Sequence, residues 1–250
     1  MDVITAITDA FGPPKHLDTV MRSVRDSGNK PHVAHTQSAA ISDFRKLYKH
    51  NSINPEWFER WCFERWFTIR DYMEEHKLNV AFVIDCDMLV YPGLDELYAK
   101  LPPNTLYTLP AVAPFMALEG VGHICDYITS IFQSNLAETI CKLASYPGHE
   151  SVQDYKIITH HLQNLAPDLY VDYRPMVIDR NWCLPINDLP LVDNHKDIEF
   201  RNGIPYVDEY QMVTLHYWGS KDHLNSIYAC KNGKLHCLGT PLDYKDWMQI

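Results

Sequence analysis

Apolar positions in this chain recur with two periods, and the switches between them outline its elements. Val3 to Thr8 (VITAIT) is a β-branched run that breaks at Gly12-Pro13-Pro14, and a helix is predicted over Leu17–Asp26, giving a β-α opening. Pro31 to Thr36 predicts a second strand, after which polar and charged sequence runs to Asn54. Asn54-Pro55-Glu56 reads as a helix start, with Asn54 as N-cap and Pro55 in the first helical position. From there Phe58, Trp61, Cys62, Trp66, Ile69 and Met73 recur at helical spacing, up to an end near Asn79. Val80 to Ile84 (VAFVI) is apolar throughout at strand length, the pattern of a strand covered on both faces in a mostly parallel sheet.

Beyond a turn at Pro92-Gly93, the pattern predicts a helix over Leu94–Leu101, a strand over Thr105–Leu109, and helices over Gly122–Ala144 and Ser151–Leu165. Strands follow at 169–172 and 175–179, hairpin turns at Asn202-Gly203 and Asn232-Gly233, and a strand over Met212–Trp218. The first part is β/α-rich and the last more antiparallel, with no internal repeat and no low-complexity linker. The expectation is therefore a single α/β domain over 1–250 with a less regular, partly antiparallel C-terminal portion.

Composition narrows the function. With 46% hydrophobic residues among 250, the chain can bury a sizeable core. A formal charge of -10 argues against a nucleic-acid partner and means that an anionic ligand must be met locally, for which a divalent cation is the obvious device. The acidic N-terminal segment, with Asp2 and Asp9, reads as neither a signal peptide nor an anchor, and no apolar run reaches bilayer length. Seven cysteines without a C-x-x-C, and no Asn-x-Ser/Thr, predict a soluble cytoplasmic protein with free, mostly buried thiols. For Cys230, His236 and Cys237 a small hairpin core is favoured over a zinc site.

The chemistry-bearing candidate is Asp85-Cys86-Asp87. Two carboxylates two residues apart, just past the end of a buried strand, sit where open α/β sheets bind ligands. Their hard oxygens suit Mg²⁺ or Mn²⁺, which can bridge a diphosphate and stabilise it as a leaving group. The bland alternative is a strand end that starts a turn.

The segment FVIDCDMLVYPGLDELY resembles the D-x-D segment of GT-A glycosyltransferases, and FERWCFERWFTIRDYMEEHKLN resembles the helix that leads into it, a likeness running from Trp57 to Tyr98. The resemblance implies a GT-A-like, Rossmann-type mixed sheet flanked by helices. About 1–110 would form the nucleotide-sugar half and about 111–250 the acceptor-side, metal-completing half. It implies that the first strand and its loop, with Thr5, Ile7 and Asp9, cradle the nucleotide. Asp85 would lie toward ribose and metal, and Asp87 would bind the metal, Mn²⁺ or Mg²⁺. His216 would complete the metal shell, with Gly219 and Lys221 near phosphate in an H-x-x-G-x-K run that departs by one residue from the H-x-x-G-x-x-K of some retaining members. The donor would be a nucleotide-sugar, UDP-linked by preference, and the acceptor a glycan or other hydroxyl compound.

Inversion requires a carboxylate base, and the segment PGHESVQDYKII offers Asp154, with Glu150 second; Ser151 and Asp154 also fit a capping box. Arg65 is a donor-site candidate, although it and Arg70 can instead pair with Glu56, Glu59 or Glu74 on their own helix. Trp182, Tyr217 and Trp218 are candidates for a stacking floor under an acceptor sugar, and His160-His161 reads as mainly surface.

Rival classes remain at this level. A haloacid-dehalogenase-like phosphatase would use Asp85 as nucleophile, but that motif normally opens its domain and carries Gly-Thr where Met88-Leu89 stand. A nucleotidyltransferase would need a Gly-rich, basic first loop, and a binding protein would keep the fold without turnover.

Overall fold

The computed structural model describes residues 1–8, 14–35, 39–52, 54–109, 113–143, 152–164, 168, 170–172, 177–178, 181–182, 198–216 and 224–235. In chain order it contains β1 (Asp2–Ala6), α1 (Leu17–Asp26), β2 (Lys30–Ala34), α2 (Ala39–Leu47), α3 (Glu56–Glu75), β3 (Val80–Val83), β4 (Met88–Val90) and α4 (Leu94–Tyr98). There follow β5 (Tyr107–Leu109), β6 (Phe115–Ala117), α5 (Leu118–Gln133), α6 (Ala137–Leu143), α7 (Asp154–Asn164), β7 (Tyr170–Asp172), β8 (Val177–Ile178) and β9 (Asn181–Trp182). The last are β10 (Ile198–Arg201), β11 (Ile204–Val207), β12 (Tyr210–Gln211), β13 (Thr214–His216), α8 (Leu224–Ala229) and β14 (Gly233–Leu235).

Two compact units share the chain: Met1–Pro13, Pro31–Asp85 and Lys100–Asp172 make the first, and Pro14–Lys30, Cys86–Ala99 and Tyr173–Ile250 the second. The first holds a six-stranded sheet ordered β2-β1-β3-β6-β5-β7. Because β6 runs antiparallel to both β3 and β5, the sheet is mixed rather than mostly parallel. β1–β3 and β5–β7 pair in parallel. On one face, Ile4, Ala81, Val83 and Tyr107 pack with Phe63, Trp66, Ile69 and Met73 of α3 and with Ile124 and Ile128 of α5. Phe82 and Phe115, 4.7 Å apart between ring centroids and buried, show that β3 is covered on both faces, as its apolar run predicts. The second unit holds an antiparallel sheet, β12-β11-β10-β14, and the pairs β13-β4 and β8-β9.

Several boundaries differ from expectation for local reasons. Pro55, not Asn54, is the N-cap of α3, because the Asn54 amide donates instead to Glu59 Oε2 at 2.7 Å. The inward face of α3 is centred on Phe63, Trp66, Phe67 and Met73, while Phe58 is 39% exposed and Trp61 half-buried. α3 stops at Glu75, where Lys77 takes φ 55° and ends the turn. The helix expected from Gly122 to Ala144 is two, α5 and α6, broken where Asn135 takes φ 58°. Asn202-Gly203 is the β10–β11 hairpin turn, with φ 53° and 84°. Asn232-Gly233 instead joins α8 to β14, which pairs with β10, and Asn232 Oδ1 accepts the Asn202 N–H at 3.1 Å. Of Cys62, Cys86, Cys125 and Cys230 only Cys125 is buried. His160 and His161 are half-buried rather than surface groups, because Tyr127 of α5 engages both.

Candidate metal and donor site

Within the second unit, strand register places a carboxylate against an imidazole. β4 pairs antiparallel with β13, with Met88 opposite His216 and Val90 opposite Thr214. Asp87 immediately precedes β4, so the register that fixes Met88 against His216 also brings the Asp87 carboxylate to the imidazole, with Oδ1 3.3 Å from Nε2. Both residues are buried, at 6% and 7% exposure. Ser23 of α1 supports β4 by accepting the Val90 N–H at 3.0 Å on its hydroxyl, itself buried.

Asp85 belongs to the first unit and follows β3, whose last hydrogen bond runs from Ile84 N–H to Ile4 C=O at 2.9 Å. A single residue separates it from Asp87. Asp85, Asp87 and His216 are the one group of metal-capable side chains found among the described residues. Two carboxylates and an imidazole make a donor set that fits Mn²⁺ or Mg²⁺.

Within the first unit Asp85 has a cation of its own. Arg65 Nη1 donates to Asp85 Oδ1, and Arg65 Nη2 donates to Asp154 Oδ2 at 2.9 Å. Trp66 Nε1 donates to the same Asp154 oxygen at 3.1 Å, and the Arg65 guanidinium lies 5.0 Å from the Trp66 ring centroid. Burial alone would lower the Arg65 pKa, but the charges of Asp85 and Asp154 outweigh it and the net shift is upward. The guanidinium is thus a permanent charge bridging the end of β3 and the start of α7. Burial, followed by the charge of Asp154, pushes the nearby Cys62 thiol well up, so it stays protonated.

The expected residues therefore separate into groups. Asp87 and His216 come together within the second unit, one residue beyond Asp85 in the chain. Arg65 joins Asp85 and not the glutamates of its own helix, whereas Arg70 pairs with Asp71 at 2.8 Å. Asp154 opens α7 as predicted, but its carboxylate is 7% exposed and engaged by Arg65 and Trp66. Thr5 is fully buried, with no hydrogen-bond partner for its hydroxyl among the described residues. Ile7 is half-buried and donates its N–H to Ala34 C=O at 3.0 Å. Asp9, Glu150, Ser151, Tyr217, Trp218, Gly219, Lys221, His236 and Cys237 lie outside the described residues. Trp66 was read from sequence only as core; its indole N–H, next to Arg65, is the signal that marks it as more.

Solved glycosyltransferase structures share this architecture. The galactosyltransferase LgtC, solved with donor and acceptor sugar analogues, superposes with a TM-score of 0.52 over 98% of this chain and 99% of that one, at 10% identity. The chain has the GT-A glycosyltransferase fold. An active-site mutant of LgtC gives a TM-score of 0.51 at the same identity and coverage. No protein-family model matches the chain. In sequence, GTPase Obg of Clostridium perfringens (strain SM101) is 26% identical over 110 residues, 40% of this chain, and the chain spans a quarter of that relative's length. None of the ten glycines stands five residues before another, so the sequence carries no G-x-x-x-x-G-K-S/T phosphate loop.

Proposed function

We propose that this protein is a metal-dependent glycosyltransferase that moves a sugar from a nucleotide-diphosphate sugar, UDP-linked by preference, to a hydroxyl acceptor with inversion. The observation that carries the reading is the buried Asp87–His216 pair, set by the β4–β13 register one residue beyond Asp85, in a GT-A fold. Asp85, Asp87 and His216 would hold Mn²⁺ or Mg²⁺, and the ion when bound supplies charge to the departing diphosphate.

The chain's own residues do the rest. Asp154 and Trp66 fix the Arg65 guanidinium, and Arg65 fixes the Asp85 carboxylate, so the acid is oriented before a donor arrives. Arg65 is also assigned to a ribose or phosphate oxygen of the donor, and Gly219 and Lys221 to the diphosphate. A carboxylate as buried and engaged as Asp154 suits holding Arg65 better than taking a proton from an acceptor hydroxyl, and the base role is accordingly assigned to Glu150. The uracil preference and the stereochemistry follow from the GT-A resemblance and from the departure of the H-x-x-G-x-K run from the retaining spacing.

The test is a thermal-shift panel of UDP, GDP and CDP with and without Mn²⁺, on wild type and on Asp87→Ala. Ligand at a hundred times its Kd adds about 2.7 kcal/mol, a rise of roughly 5–10 °C for a chain of this size. A Mn²⁺-dependent rise with UDP that disappears in Asp87→Ala supports the reading. No rise with any nucleotide overturns it.

A further inference from the structure

Four large apolar side chains are markedly exposed among the described residues, and two are neighbours: Trp57 at 46% and Phe58 at 39%, on the first turn of α3. Their rings meet edge to face, with centroids 5.7 Å apart. Phe58, Trp61, Cys62 and Arg65 stand at i, i+3, i+4 and i+7, so they share one helical face, and seven residues of helix rise about 10 Å. Exposure falls along that face, from Phe58 through half-buried Trp61 and Cys62 to Arg65 at 18%, which is bonded to Asp85. An aromatic ramp the length of a short oligosaccharide thus descends to the acid of the D-x-D motif.

We propose that this ramp is the acceptor-side platform, which stacks the pyranose rings of a neutral glycan; the proposal rests on the glycosyltransferase reading and names its acceptor class. Two features choose a sugar over other occupants. Aromatic faces beside planar polar groups suit a ligand that is apolar on its ring faces and hydroxylated at its rim. Here the exposed Glu56–Arg60 pair, 3.0 Å apart, flanks the rings. Secondly, the exposed charges beside the rings, Glu56 and Arg60, compensate each other, on a chain of net charge -10. A locally neutral surface on an acidic chain offers an anionic bilayer or polyanion no attraction and leaves a neutral ligand favoured.

The experiment measures saturation-transfer NMR on maltotriose, cellotriose and chitotriose with wild type, the double variant Trp57→Ala/Phe58→Ala, and Tyr98→Ala as an exposed-aromatic control. The UDP–Mn²⁺ thermal shift is measured on the same samples. Ring-proton saturation of at least one trisaccharide by wild type and Tyr98→Ala is expected. Affinity should fall roughly tenfold in the double variant, with its UDP shift intact. No saturation of any of the three sugars, equal binding by the double variant, or binding to phosphatidylcholine vesicles in place of sugar overturns the platform. Sugar binding lost in the double variant, with no UDP shift even in wild type, would sustain the platform and sink the donor reading.

Discussion

At the scale of single residues, Arg65 is the side chain on which the largest effects converge. Its guanidinium is shared between two carboxylates, one of them nearly buried, and removing it takes the charged donor away from Asp154 and Asp85 together. Arg65→Ala should therefore lower the urea midpoint by the equivalent of about 3 kcal/mol or somewhat less, given partial exposure, and Asp154→Asn introduced into that variant should recover part of the loss. An unchanged midpoint in Arg65→Ala would show that Asp85 and Asp154 find other partners. His161 supplies a pH prediction. Burial first, then the charges of His123 and His160, lowers its pKa from 6.5 to about 4, and its ring stacks on Tyr127 with Tyr107 also near. The unfolded chain then binds the extra proton first on acidification, so stability conferred by the neutral imidazole is present above pH 6.5 and is lost as pH falls toward about 4. Urea midpoints between those limits should slope less in His161→Phe than in wild type.

At the scale of elements, α5 comes so close to β5 that Gly120 has no room for a side chain. A Cβ there would lie 2.4 Å from the Leu106 carbonyl oxygen and 2.7 Å from a Tyr107 ring carbon. Glycine to alanine inside a helix usually gains about 1 kcal/mol, but Gly120→Ala should cost about 1–3 kcal/mol because backbone must move; a raised melting temperature would contradict this contact. No local pattern announces it, since the glycine's partner is 14 positions earlier on another element. The same division explains what the sequence made readable. α1 was predicted with its observed bounds because five buried positions repeat along ten residues, and β3 because both its faces are apolar. α2 escaped notice because it buries only Ile41 and Phe44, and β6 because three residues acquire strand character only from β3 and β5 beside them. The metal group was legible as residue types at the ends of two predicted strands. The Arg65–Asp154 pair was not, because 89 positions separate its members.

At the scale of the whole molecule, the charge of -10 disfavours an anionic donor, and the proposed cation would offset that locally. Chelation with EDTA should abolish UDP binding by calorimetry, with Mn²⁺ restoring it, and the protein should pass unretained through heparin at physiological salt. Retention on heparin would reveal a basic surface that the overall charge hides.

The interleaving of the two units along the chain also bears on how the protein comes off the ribosome. The first unit draws on segments ending at Asp172, so its six-stranded sheet can close while β10 to β14 are still unmade. Asp85 and its Arg65–Asp154 clasp belong to that early-born part, whereas Asp87 must wait for His216 to be translated before β4 finds β13. A nascent chain halted between those points would carry a finished clasp without the Asp87–His216 pair, and capture of the proposed ion would have to follow translation of His216.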